Sequence, residues 1–134
     1  MNALVIDTHA AIWYFANSSE LSATARSEIN SSIKKGGIIY LATISIVEIV
    51  YLIDKGRLNS QTLPRLLQAL NFSNSSFVAM ELTVDIAQTL QQIPRTTVPD
   101  MPDRIISATA LHLGLPLVTR DQNISGLSAI QTIW

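Results

Sequence analysis

Short β-favouring apolar runs alternate along this chain with longer segments of helical character, and acids stand where the apolar runs stop. Ala3-Leu4-Val5-Ile6 ends at Asp7, and Pro116-Leu117-Val118-Thr119-Arg120 ends at Asp121. Glu48 interrupts Ile44-Ser45-Ile46-Val47-Glu48-Ile49-Val50, and Asp103 opens the segment Pro102-Asp103-Arg104-Ile105-Ile106. Strands alternating with helices predict an α/β fold: a central parallel sheet of four to five strands, with helices on both faces. Carboxylates beside core segments are costly to dehydrate unless positive charge meets them. Gathered at one end of a sheet, four of them suit a hard divalent cation held by oxygen ligands.

Length and composition narrow the rest. The chain has 134 residues, about one domain spanning 1–134. With 48% hydrophobic and 14% charged residues it is folded rather than disordered. It contains no cysteine, which removes disulfides, thiolate metal sites and cysteine nucleophiles. Glu48 and Asp54 break the longest apolar stretch, and Asp7 and His9 lie inside the apolar start, so neither a membrane span nor a signal peptide is expected. The expected location is the cytoplasm. The formal charge of −1 conceals an asymmetry. Setting aside Asp7, Glu48, Asp100, Asp103 and Asp121 leaves nine Lys and Arg against five acids. An acidic pocket in a mildly basic surface is therefore compatible with a near-neutral total.

The pattern predicts strands at 3–6, 38–41, 77–80 and 117–119, with a short last one over 131–134. Thr8 is expected to cap a first helix carrying Ile12, Trp13 and Phe15; Ser22 a second that closes at Gly36-Gly37; and Thr43 or Ser45 a third that stops at Gly56. A fourth helix covers about 60–70, and Thr83 caps a fifth to about Ile93. The segment from Pro94 to Pro102 holds three prolines and delivers the chain to a helix starting near Asp103 and ending at Gly114.

Each acid has a structural reading beside the functional one. Asp7 and Asp103 fit helix starts, and Asp121 fits a turn with Gln122 and Asn123. Glu48 is harder to absorb, because it sits among Ile, Val and Leu against the local pattern. Arg104 and Arg120 flank two of the acids and suit ion pairs or phosphate contacts, the ion pair being preferred. Lys34, Lys35, Lys55 and Arg57 fit solvated helix ends or contacts to a phosphate backbone, the solvated ends being preferred. His9 and His112 read as packed or half-buried, and Trp13, Tyr14 and Phe15 as core.

At these residues the chain resembles PIN-domain nucleases of the VapC type, toxins of toxin–antitoxin pairs. The likeness runs through Leu4-Val5-Ile6-Asp7-Thr8-His9, Ser45-Ile46-Val47-Glu48-Ile49, Pro102-Asp103-Arg104-Ile105-Ile106-Ser107-Ala108-Thr109-Ala110, Leu115-Pro116-Leu117-Val118-Thr119-Arg120-Asp121 and Ile130-Gln131-Thr132-Ile133-Trp134. It implies a single PIN-like domain whose acidic quartet is Asp7, Glu48, Asp103 and Asp121, with Thr119 as the small hydroxyl beside the last acid. Many relatives carry Asp-Pro-aromatic-Asp-Arg where this chain has Asp100-Met101-Pro102-Asp103-Arg104, so a role for Asp100 stays open.

The resemblance implies an endoribonuclease dependent on Mg²⁺ or Mn²⁺ that cuts RNA internally to leave a 5′-phosphate. Asp7, Asp103 and Asp121 would hold the ion, Glu48 would orient or deprotonate the attacking water, and Thr119 would bond a water or phosphate oxygen. It further implies a small antitoxin as partner and a homodimer. Two rivals remain from the residues themselves. One is a receiver-like phosphoacceptor domain, which lacks its acceptor aspartate after the third strand and its late lysine. The other is a PIN-like module without catalysis that acts through protein partners.

Overall fold

Five parallel strands in the order β3-β2-β1-β4-β5 form the centre of the protein, whose computed structural model describes residues 2–134. The strands are β1 (Leu4–Ile6), β2 (Ile39–Ala42), β3 (Phe77–Met80), β4 (Leu117–Val118) and β5 (Thr132–Ile133). The helices are α1 (Thr8–Phe15), α2 (Ala23–Lys34), α3 (Thr43–Asp54), α4 (Thr62–Asn71), α5 (Val84–Thr89), α6 (Met101–Leu113) and α7 (Gln122–Ser125). A turn of 3₁₀ helix at Leu90–Gln92 extends α5.

The middle strand explains the shape. β1 pairs with β2 on one side (Ile6 opposite Leu41) and with β4 on the other (Ile6 opposite Val118), so both its edges are paired, and all three of its residues are buried. Side chains alternate across the sheet. Leu4 and Ile6 pack with Ile29, Ile39, Leu41, Ile49 and Leu66 on the side of α1 to α4. Val5 packs with Ile86, Ile93, Ile106, Ile124 and Leu127 on the side of α5 to α7. The order also reverses at β1: the chain first builds outward through β2 and β3, then crosses back to β4 and β5. The two directions part at the carboxyl ends of β1 and β4, which is where parallel sheets open a crevice for ligands.

The helix ends correct several expectations. Asp7, not Thr8, caps α1: its carboxylate accepts the Ala10 N–H at 2.8 Å, and Thr8 is the first helical residue. No side chain caps α3, because Ser45 lies inside the helix and its hydroxyl faces Thr8. Helix α6 starts at Met101 rather than Asp103, since Asp100 supplies the cap and Pro102 sits in the first turn, where a missing N–H costs nothing. Asn71 belongs to α4 rather than the following loop. After β4 the chain turns into a four-residue helix, α7, that the sequence pattern did not separate from a turn. Ser22 and Thr83 cap α2 and α5 as their positions predict. Gly114 closes α6 at φ +67°, a left-handed conformation open to glycine and strained for other residues.

Among the described residues, no helix is long and apolar enough to cross a membrane. Helix α6 carries much of the second core, with Ile106 fully buried. Ile106→Ala should therefore lower unfolding free energy by about 2–5 kcal/mol, against about 1 kcal/mol for Gly114→Ala. Urea unfolding monitored by circular dichroism checks both, and an Ile106→Ala loss as small as that of the glycine would contradict this packing.

Candidate active site

Three of the acids owe their position to the same local device. Asp7 follows β1, Asp121 follows β4 and Asp100 precedes α6; each accepts a backbone N–H from the first turn of the helix it starts. Asp7 uses Oδ1 for Ala10, Asp121 uses Oδ1 for Ile124 and Asp100 uses Oδ2 for Asp103. The cap occupies one carboxylate oxygen and fixes the side chain, so the second oxygen is not used by the cap. Structural and chemical uses of these aspartates are thus compatible.

Asp103 lies in the first turn of α6, and Glu48 in the second turn of α3 rather than the first. Glu48 is fixed from α1. Thr8 Oγ1 lies 2.6 Å from Glu48 Oε1 and 2.8 Å from the buried Ser45 hydroxyl. A carboxylate only accepts, so the single Thr8 proton serves Glu48 and Ser45 supplies the proton of the second contact. This three-residue chain accounts for a glutamate inside an apolar helix.

Asp7, Glu48, Asp100, Asp103 and Asp121 line one cavity of about 340 Å³ together with Thr8, His9, Trp13 and Arg120. It opens at the carboxyl ends of the strands, where β1 and β4 part. Burial and mutual repulsion tune the carboxyls. Desolvation raises Asp103 to about 7, helped by the charges of Asp100, Asp121, Glu48 and Asp7. Asp7 is raised chiefly by burial, against hydrogen bonds from Thr119 and the Ala10 N–H. Glu48 is raised by burial, partly offset by the Thr8 hydrogen bond. Carboxyls that resist ionisation together lack a positive partner.

Among the described residues, no three acidic or imidazole groups converge closely enough to enclose an ion unaided. That spacing excludes a closed all-protein cage. It fits Mg²⁺ or Mn²⁺ chemistry, since such ions keep several waters and take one or two carboxylates plus substrate phosphate. The cavity offers hard oxygen donors and an excess of negative charge, and it contains no cysteine.

The accessory residues fall differently from their sequence reading. Thr119 is fully buried and is not among the residues that line the cavity. It accepts the Asp121 N–H at 3.0 Å and bonds Asp7, tying together the ends of β1 and β4. Arg104 forms no ion pair among the described residues: its Nη2 donates to the Leu90 and Ile93 carbonyls, both at 3.0 Å, and clasps the 3₁₀ turn to α6. Its buried Nε has no partner among the described residues. Arg120 pairs with Glu20 at 3.1 Å, not with a cavity acid, and lies 4.4 Å from the centre of the Trp13 ring. Lys34, Lys35, Lys55 and Arg57 do not line the cavity.

The sequence reading missed His9 and Trp13 as cavity walls. His9 is exposed rather than packed, and its ring lies 5.5 Å from Trp13, which meets Trp134 edge-on. The i, i+4 spacing of His9 and Trp13 already placed them on one helical face next to Asp7. His112 is likewise exposed, at the end of α6.

A profile of the PIN domain matches residues 4–129. The ribonuclease VapC22 of Mycobacterium tuberculosis (strain ATCC 25618 / H37Rv) is 28% identical over 124 residues, covering 92% of this chain and 91% of that protein. The structure of VapBC2 from Rickettsia felis, bound to a DNA fragment from its promoter, superposes with a TM-score of 0.70 at 14% identity, covering 97% of this chain and 96% of that one. A toxin–antitoxin complex from Klebsiella pneumoniae gives 0.64 at 21% identity, with 95% and 94% covered. At such identities the structural likeness speaks for the fold. The profile spans almost the whole sheet and every acid of the cavity, and on that ground the chain belongs to the PIN-domain family.

Proposed function

We propose that this PIN domain is a Mg²⁺- or Mn²⁺-dependent endoribonuclease and the toxin of a toxin–antitoxin pair. The observation that carries the reading is the convergence of Asp7, Glu48, Asp103 and Asp121 on one cavity at the switch point of a parallel sheet. The likeness to a curated ribonuclease supports RNA as the substrate.

Asp7, Asp103 and Asp121 would hold the ion, one or two of them directly and the rest through water, with Asp7 and Asp121 using the carboxylate oxygen that does not cap a helix. When bound, it neutralises phosphate charge and acidifies water. Glu48, aimed by Thr8 and Ser45, orients the attacking water and takes its proton. Thr119 keeps Asp7 and Asp121 in mutual register. Asp100 caps α6 and adds charge that raises Asp103. Water attacks phosphorus as the bond to the 3′-oxygen breaks and that oxygen leaves with a proton, so the 2′-hydroxyl is unused and the downstream fragment carries the 5′-phosphate.

The resemblance to a toxin–antitoxin complex supports an antitoxin partner acting in the cytoplasm. An apolar surface fits both that partner and a homodimer: Val47 and Tyr51 on α3, with Leu67 on α4 and Phe72 just after it, stand exposed. Sedimentation as a monomer at high micromolar concentration would remove the dimer.

Incubating the protein with total cellular RNA and Mn²⁺ tests the activity. Glu48→Gln should lower kcat on the order of 10²–10⁴-fold, and Asp7→Asn or Asp103→Asn should cut cleavage by more than the roughly 10- to 100-fold that loss of a supporting partner costs. Undiminished cleavage by the folded aspartate variants would overturn the assignment.

The raised carboxyls also set a pH dependence. Asp103 rises from its ordinary 3.8 to about 7. Between those values the folded protein binds more protons than the unfolded chain, so stability falls as pH climbs through that window. Chelator-treated protein should melt a few degrees higher at pH 5 than at pH 8, roughly the shift of a 1 kcal/mol change. Saturating Mg²⁺ should shrink that difference by stabilising the ionised form. A melting temperature that rises with pH without metal would contradict this reading.

A further inference from the structure

The cavity's charge poses a problem that the acids do not solve. Asp7, Glu48, Asp100, Asp103 and Asp121 face an approaching polyanion, and Arg120 is the only Lys or Arg among the described residues that line the cavity. Its guanidinium is already placed. It lies over Trp13, whose ring is braced edge-on by Trp134, so the cation rests on a fixed aromatic shelf at the cavity wall. Its charge is met by Glu20, from the loop between α1 and α2.

That ion pair is suited to exchange. Arg120 and Glu20 are 54% and 59% exposed, so the pair is open to solvent and weak. The contact is through a single Nη1 to one Glu20 oxygen, which leaves most of the guanidinium's donors for another acceptor. A phosphate diester offers two anionic oxygens that match the guanidinium fork, which a lysine would not reproduce.

We propose that Arg120 is the phosphate-binding residue at the mouth of the cavity, and that Glu20 is a built-in competitor which occupies it until an RNA phosphate displaces the carboxylate. The proposal rests on the ribonuclease reading and names how this chain draws a polyanion to an acidic site. Phosphate contacts position a strand without reading its sequence, so the effect does not depend on knowing the RNA target.

The test is binding of a short single-stranded RNA of mixed sequence to the full chain carrying Asp7→Asn, measured by fluorescence anisotropy in Mg²⁺ across a salt series. Arg120→Ala should weaken binding about tenfold and reduce the slope of log Kd against log salt by about one. Glu20→Gln should tighten binding by about two- to fivefold, as release of one weak ion pair allows, and should lose that effect when Arg120→Ala is also present. Arg65→Ala, in a separate groove on α4, should leave both quantities unchanged. The proposal is overturned if Arg120→Ala leaves affinity and slope intact, or if Glu20→Gln tightens binding equally with and without Arg120. Cleavage of total RNA by the unmodified protein in Mn²⁺ separates the two levels. An active enzyme whose Arg120 variants bind normally loses this proposal alone, whereas an inert protein that binds no RNA loses both.

Discussion

Repulsion among carboxylates crowded at the meeting of β1 and β4 is the constraint on which the rest of this structure turns. Like charges about 4 Å apart cost about 1 kcal/mol in water and about 4 kcal/mol at an effective dielectric of 20. Five acids line one cavity, and burial first, then the charges of Asp100, Asp121, Glu48 and Asp7, raises Asp103 to about 7. The two apolar clusters on the faces of the sheet do not include these acids, three of which cap helices through one oxygen each. The cost that capping leaves unoffset is what the proposed cation would remove.

The surrounding polar groups bear on this in two ways. Helix caps at Asp7, Asp100 and Asp121 hold three carboxylates through one oxygen each, and Thr119 and Thr8 hold Asp7 and Glu48 from the side. These bonds offset part of the desolvation and keep the groups in place without a cation. Arg104 acts further out, anchoring the 3₁₀ turn to the start of α6 beside Asp103.

Much of this was legible in the residues. Short apolar runs stopped by acids gave the parallel sheet and the edge at which Asp7 and Asp121 stand, because strand period and strand-end placement are local properties. Glu48 stood out because it breaks an apolar helix. What the residues did not reveal was set by tertiary partners. Ser45 and Thr8 look like caps, yet Thr8 meets Ser45 across 37 positions of chain and Glu48 across 40. Arg104 and Arg120 look alike beside their acids, yet one is taken by backbone carbonyls and the other by Trp13 and Glu20. Asp100 read as a doubtful relic of a motif and is the cap that begins α6, which moved the start of that helix.

The central claim is that these carboxylates share a divalent cation, and calorimetric titration of Mn²⁺ into metal-free protein near pH 7 addresses it most directly. Saturable binding should appear together with proton release, since Asp103 must ionise to act as a ligand, and both signals should be lost in Asp103→Asn. Absence of binding to the unmodified protein, or equal binding by the variant, would contradict the account.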